Sequence, residues 1–270
     1  MAELVTTRIE DGIAHVALNR PDKLNALTLD TLEQLIDTAG RLRSDRTLRS
    51  VVVSGEGDAF CAGLDFGTVL REPRRVAGAF TPRPWRGTNT FQEACWAWRR
   101  LPVPVIAAVH GHCLGGGVQI ALAADFRITA PDAKWSVLEA RWGIIPDMTG
   151  IKALSQQVGM DIAKRLTMTG ETVPGTEAVR LGLATEENID PYAGALALAG
   201  RLAERSPDSV AAAKRLFNRT WSASDRRTFM WERLEQARLL MGANAAEARR
   251  ANTNREKPAY KPRAGINPRG

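Results

Sequence analysis

LPVPVIAAVHGHCLGGGVQIALAADFRITA, residues 101–130, reads as a strand, a glycine-opened helix and a second strand. The run VIAAVH is short and apolar, and Pro102 and Pro104 stand only at its start, where a missing backbone N–H is tolerated. A helix opened by Gly115, Gly116 and Gly117 follows, then DFRITA as the next strand. Strand and helix alternating in this way imply an α/β core with a parallel sheet. One turn into the helix stands Gln119, a neutral amide where a catalytic carboxylate could sit.

Working outward toward the N-terminus, LVTTRIE and IAHVALN flank Asp11-Gly12, a dipeptide suited to a tight hairpin turn. After Pro21 comes a helix in which Leu29, Leu32, Leu35, Ile36, Ala39 and Leu42 recur at helical spacing, making one buried stripe. SVVVSG is a buried strand that ends in the loop GEGDAFCAGLDFG. Residues 68–88, rich in proline and arginine and without periodicity, read as a long surface loop, and FQEACWAWRRL as a helix.

Toward the C-terminus the chain is nearly continuous helix from about residue 148, broken at Gly159, Gly170, Gly182, Pro191 and Pro207. The segment MTGETVPGTEAVRLGLAT reads as a helix end, a turn, a short helix beginning near Pro174 and a short extended exit. Residues 191–205, 207–219 and 224–251 follow as helices, with a basic, proline-rich tail from Lys257. The expected organisation is a core over 1–195 and a helical region with its tail over 196–270. Such a helical end packs on the main body or on another subunit.

The 270 residues are 44% apolar and 25% charged, the composition of a globular chain large enough to bury roughly three quarters of its unfolded surface. No apolar run reaches the length of a membrane span. MAELVTTRIEDG carries acids where a signal peptide needs positive charge, and INPRG is no peroxisomal address, so a cytoplasmic location is expected. Three cysteines without CxxC pairing and three histidines support neither a disulfide framework nor a metal site. The net charge of +7 is concentrated: residues 249–270 carry +6, residues 71–86 carry +4, and the rest is net acidic. One basic loop and one basic tail suit a small phosphorylated ligand or a subunit contact as well as a polyanion.

Two glycine-containing segments, AFCAGLD and GHCLGGGVQ, each follow a buried strand. Glycine lets a ligand approach the main chain, and the first N–H groups of a helix are unpaired donors at the positive end of its dipole. Two such donors aimed at one oxygen make an oxyanion hole, each contributing roughly 10²- to 10³-fold in rate; tight packing alone would also call for the glycines. A third segment, LEARWGIIPD, places Glu139 and Asp147 on either side of Gly143 and Pro146. Proline and glycine weigh against a helix there, so the spacing does not itself put both carboxylates on one face.

NRPDKLNAL, AFCAGLD, HGHCLGGGVQIALAAD, ARWGIIPD and TGETVPGTEAVRLGLAT, in this order, give the chain a resemblance over nearly its whole length to the enoyl-CoA hydratase/isomerase, or crotonase, superfamily. The resemblance implies a spiral of ββα repeats, a C-terminal helical region that trimerises, and a homotrimer or a homohexamer built as a dimer of trimers. It implies an acyl-CoA thioester as substrate, with coenzyme A entering only as part of it and no separate cofactor. The backbone N–H groups of Leu64 and Gly116 would hold the thioester oxygen, beside Ala62, Gly63, Asp65 and Gly115. Lys23, Leu24 and Ala26 would lie along the CoA entrance, the arginine loop 71–86 would meet adenine or phosphates, and Trp135 and Trp142 would line or back the acyl pocket. His112, Cys61 and Cys113 read as packing residues, and Asp65 also as a residue that fixes its own loop.

The hydratases of that superfamily use two glutamates to activate water; the first aligns with Gln119 and the second with Glu139. A glutamine can position water but cannot accept its proton. The isomerases need one carboxylate, and the dienoyl-CoA isomerases carry a second in an E-x-x-x-G-x-x-x-D pattern that Glu139, Gly143 and Asp147 fit, although they also carry an acid at the place of Gln119. The expectation is therefore an isomerase of 3-enoyl- or 3,5-dienoyl-CoA, with Glu139 exchanging a proton at C2 and Asp147 one near C6. The alternatives are a 2-enoyl-CoA hydratase working through Glu139 and Gln119, and a non-catalytic acyl-CoA binder. A dinucleotide site fails because GHCLGGG is not G-x-G-x-x-G, and RNA binding lacks interleaved aromatics.

Overall fold

The computed structural model describes residues 2–265. Among them the strands are β1 (Val5–Glu10), β2 (Ile13–Leu18), β3 (Ser50–Gly55), β4 (Val105–Val109), β5 (His112–Leu114), β6 (Phe126–Thr129), β7 (Lys134–Ser136), β8 (Val173–Pro174) and β9 (Glu186–Glu187). One sheet has the order β1-β2-β3-β4-β6-β9, the other β5-β7-β8. β1 and β2 pair antiparallel from Val5↔Leu18 to Glu10↔Ile13 across Asp11-Gly12, whose φ values of 49° and 76° are those a two-residue hairpin turn demands. Every later pairing in the large sheet is parallel, as the alternating pattern predicts.

The stripe read in the sequence forms α1 (Leu29–Ser44), capped by Thr28, whose hydroxyl accepts from the Thr31 N–H. Its apolar residues are buried in the main core together with Val51 and Val53. Val52, between them, points to the other face and packs with Ile106, Ala108 and Ile128 against Ala195 and Ala199. The centre of the sheet is thus covered on both faces, which is why VVV of β3 and VIAAV of β4 read as unbroken apolar runs.

The remaining helices are α2 (Phe66–Val69), α3 (Pro73–Phe80), α4 (Thr90–Arg99), α5 (Gly116–Ala123), α6 (Gly150–Gln157), α7 (Met160–Thr169), α8 (Gly175–Leu181), α9 (Pro191–Ala203), α10 (Pro207–Thr220), α11 (Asp225–Leu240) and α12 (Ala243–Asn254). Three expectations are corrected. The loop expected over 68–88 contains α3, because Pro73 stands in the first turn, where a proline promotes a helix. The helix expected over 224–251 is two, with Gly242 as the cap of the second. LEARWGIIPD contains a 3-10 helix, Leu138–Trp142, which Gly143 ends at φ 69°. Residue 195 itself lies in α9, which packs on the large sheet through Ala195 and Ala199.

The C-terminal helices are fastened to the core by a buried ion pair: Lys214 of α10 lies 2.6 Å from Asp125 and donates to the Val103 carbonyl at 2.8 Å. The tail is tied back as well, since Arg263 N–H donates to the Arg46 carbonyl at 2.9 Å and the Arg46 side chain returns a 2.7 Å bond. Among the described residues no helix is long and apolar enough to cross a membrane.

Candidate active site

The two glycine segments are laced together by backbone. Cys61 N–H donates to the His112 carbonyl at 2.8 Å and Leu114 N–H to the Cys61 carbonyl at 2.9 Å. A Cβ on Gly117 would stand 2.5 Å from the Cys61 carbonyl oxygen, and one on Gly63, itself at φ 92°, would stand 2.9 Å from the Leu114 oxygen and 3.5 Å from the Gly116 nitrogen. Glycine is therefore what lets the loop after β3 reach the start of α5. Leu27 bonds the residues on either side of Leu64, donating to the Gly63 carbonyl and accepting from Asp65, so the Leu64 N–H itself is left over. Gly116 opens α5, where no earlier carbonyl is available to it. No hydrogen bond among the described residues uses either N–H.

Leu64 and Gly116 border a cavity of ≈ 610 Å³ that Gln119, Glu139 and Asp147 also line. Glu139 is buried on the 3-10 helix, and its Oε1 accepts from Gln119 Nε2 at 2.6 Å. Gln119 Oε1 in turn accepts from Gly150 N–H, the start of α6, at 2.9 Å. That backbone donor settles which end of the amide faces Glu139, because a carbonyl cannot donate and a backbone N–H cannot accept. Glu139 Oε2 is buried without a partner. Burial pushes the Glu139 carboxyl above its ordinary value; the Gln119 bond pulls it back, and the negative charge of Asp147 raises it again. Burial raises the Asp147 carboxyl too. The arrangement offers one oriented carboxylate oxygen, a second carboxyl along the same cavity and two free backbone donors.

A Cβ at Gly150 would lie 2.6 Å from Gln119 Oε1 and 2.7 Å from Pro146 Cβ, so a side chain there would push the amide or the proline ring out of place. Thr149 before it adopts φ 75°, a left-handed conformation that is costly for a β-branched residue. This strained turn carries the N–H that orients Gln119.

Of the other predicted residues, Ala62, Gly63 and Gly115 line the cavity, as does Trp142, which stacks on Phe66 with centroids 4.9 Å apart. Trp135 does not: it is wholly buried in β7, and its indole N–H donates to Thr129 Oγ1 at 3.0 Å, a core position. Asp65 caps α2, accepting from Thr68 N–H and Oγ1, and pairs with Arg20 at 2.8 Å, which holds its carboxyl below the usual range. Lys23, Leu24 and Ala26 lie outside the cavity; Leu24 is exposed, and its carbonyl accepts from Ala62 N–H. In the arginine loop, Arg75 pairs with Asp30, Glu33 and Glu72, and Arg86 with the buried Glu93. Arg71 and Arg74 make no ion pair among the described residues. Cys61 is buried and its thiol pushed up to about 12, so it is no thiolate nucleophile.

Sequence reading missed Val76 and Phe80 of α3, Phe91 of α4, and Ile144, Ile145 and Met148 as lining residues. Val76 and Phe80 are four apart after a proline, the one local signal that could have marked them as a helix face.

Residues 8–263 match the family described as Enoyl-CoA hydratase/isomerase. Among curated relatives, a hydroxycinnamoyl-CoA hydratase-lyase of Pseudomonas fluorescens is 34% identical, covering 87% of this chain and 86% of its own. The human mitochondrial Delta(3,5)-Delta(2,4)-dienoyl-CoA isomerase is 33% identical, covering 78% and 67%. Among solved structures, an enoyl-CoA hydratase from a Polaromonas species superposes with a TM-score of 0.87 at 28% identity, over 95% of this chain and 99% of that one.

Proposed function

Since the chain belongs to the enoyl-CoA hydratase/isomerase family, we propose that it acts on an acyl-CoA as a double-bond isomerase, with Glu139 as the base. The observation that carries this reading is the Gln119–Glu139 pair: one oxygen of the carboxylate is held by an amide that cannot take a proton, and the other stands free and desolvated. Isomerisation needs one such oxygen; water activation by two carboxylates needs more than position 119 supplies.

The thioester oxygen sits between the N–H groups of Leu64 and Gly116. Glu139 Oε2 takes a proton from C2, and the C–H electron pair moves into the C1–C2 bond while the carbonyl oxygen gains negative charge. Backbone donors fixed before the reaction stabilise that charge without reorganising. For a 3-enoyl group the proton returns at C4. For a 3,5-dienoyl group Asp147, kept protonated to higher pH by its burial, delivers a proton at C6 and the 2,4-dienoyl product results, one proton having left C2 and one having arrived. Coenzyme A is part of the substrate, and no further cofactor is required.

Hydration of a 2-enoyl-CoA is the second reading, favoured by the remaining Nε2–H of Gln119, which can hold a water beside Glu139. Assaying 2-enoyl-, 3-enoyl- and 3,5-dienoyl-CoAs side by side decides: turnover of the 3-enoyl or dienoyl thioesters well above hydration is expected, and hydration as the fastest reaction would overturn the proposal. The protein acts as a homotrimer or homohexamer, a reading supported by Phe217, Trp221, Phe229 and Met241, left exposed on and beside α10 and α11; light scattering after size exclusion measures the mass. Three free, buried cysteines suit a reducing compartment such as the cytoplasm.

A further inference from the structure

We infer that the acyl group this cavity accepts ends in an aromatic ring, apolar at its far end, rather than in a short or linear chain. The inference rests on the acyl-CoA reading above. The polar groups on the cavity are confined to Gln119, Glu139, Asp147 and the exposed backbone beside them; the other lining side chains are aliphatic or aromatic. Two aromatic pairs stand on different elements. Phe66 of α2 meets Trp142 at 4.9 Å and 31°, and Phe80 of α3 meets Phe91 of α4 at 5.0 Å and 43°.

Phe91 is buried in the core, but its partner Phe80 and the indole of Trp142 are not used up by it. Trp142 is 61% exposed and Phe80 51%, which leaves large ring surfaces in water at the cavity rim. The ≈ 610 Å³ of space holds about twenty water-sized groups, several times what a four-carbon acyl group fills. A linear chain would cover the same apolar area, but a ring gains in addition an aromatic contact, about two- to twelvefold in affinity for each pair formed. Away from the acid cluster no lining side chain offers a hydrogen bond to a ring hydroxyl except the indole N–H of Trp142, so the ring that fits is unsubstituted or carries apolar groups.

Saturated thioesters, which have no double bond to move, separate binding from chemistry. Calorimetry on the full chain with 4-phenylbutanoyl-CoA and decanoyl-CoA, equal in carbon count, and with butanoyl-CoA should rank the aryl thioester about fivefold or more above decanoyl, with butanoyl weakest. Trp142→Leu keeps apolar bulk at an exposed position without the ring, and should cost the aryl thioester about threefold and decanoyl less. Decanoyl-CoA binding as tightly as the aryl thioester overturns the aromatic inference and leaves the acyl-CoA reading standing. Failure of all three thioesters to bind overturns both.

Discussion

The two walls of the cavity are built on opposite terms. One wall, Cys61 to Leu64 with Gly115 to Gln119 and Glu139, is held by backbone hydrogen bonds and by Gly63 and Gly117, where a Cβ would run into the facing backbone. The other, Phe66 to Phe80 with Trp142 to Ile145, consists of short helices that leave Leu70, Phe80, Trp142 and Ile145 exposed. The first wall has the properties that acid–base and oxyanion chemistry require: few degrees of freedom, low dielectric and defined donors. The second has area and little constraint, so it can choose among acyl groups without disturbing the reacting atoms. Changes in the buried wall should therefore act on kcat and pH dependence, and changes in the exposed wall on KM and selectivity.

The largest effect is expected at Glu139. Glu139→Gln keeps the acceptor for Gln119 and removes the base, so kcat should fall roughly a hundredfold or more while KM moves little. Its sign on stability is opposite. The folded-state pKa of Glu139 is raised above its unfolded value, so ionising it opposes folding. The penalty is absent below the ordinary glutamate pKa, grows as pH rises through the raised one, and persists above it. Glu139→Gln should then melt about 2 °C above the parent at pH 7 to 8, with the gap closing in acid. A variant that keeps its activity would place the base elsewhere and break the contrast between the walls.

Asp147→Asn comes next. It should cost about thirtyfold on 3,5-dienoyl-CoA, within the range of general acid help, and leave 3-enoyl-CoA turnover within about twofold. Equal losses on both substrates would make Asp147 part of the shared site rather than a second proton carrier.

Gln119→Ala tests whether the amide only fills space. Its removal strips Glu139 Oε1 and the Gly150 N–H of their partners in a buried place, a loss of about 1–3 kcal/mol in stability. It also removes the bond that lowers the Glu139 pKa, so the acid limb of the kcat profile should move to higher pH while the plateau falls less than tenfold, roughly, given that the base remains. An unmoved limb would show that the hydrogen bond does not tune the base.

The difference between the walls also accounts for what the sequence discloses. Glycine reports close backbone approach by its identity alone, so AFCAGLD and GHCLGGGVQ are legible without coordinates. The α1 stripe and the β1–β2 hairpin are equally local signals. Glu139 and Asp147 are legible as a spacing, but their shared cavity depends on a 3-10 turn that Gly143 ends, and only the family resemblance points to it. The bond from Gly150 to Gln119 spans thirty-one positions and leaves no trace in either neighbourhood. Trp135 misleads because an aromatic residue on a short strand can face either side, and the Thr129 hydroxyl that draws its indole inward belongs to another strand. α3 is missed because its prolines and arginines resemble a loop's; Pro73 acts in the first turn, where it costs nothing.

Phe80→Ala carries the smallest effect and the sharpest test of the division. The side chain is half exposed at the end of α3, and its ring meets Phe91 without touching the groups that would move protons. Truncation removes part of one aromatic pair and a share of apolar cover, so KM for a long or aryl acyl-CoA should rise about two- to fivefold, with kcat unchanged. A short-chain substrate, which does not reach this far, should show no change in either constant. If kcat falls instead, α3 is coupled to the buried wall through α4, on which Phe91 stands, and the exposed wall shapes the reacting geometry as well as the choice of substrate.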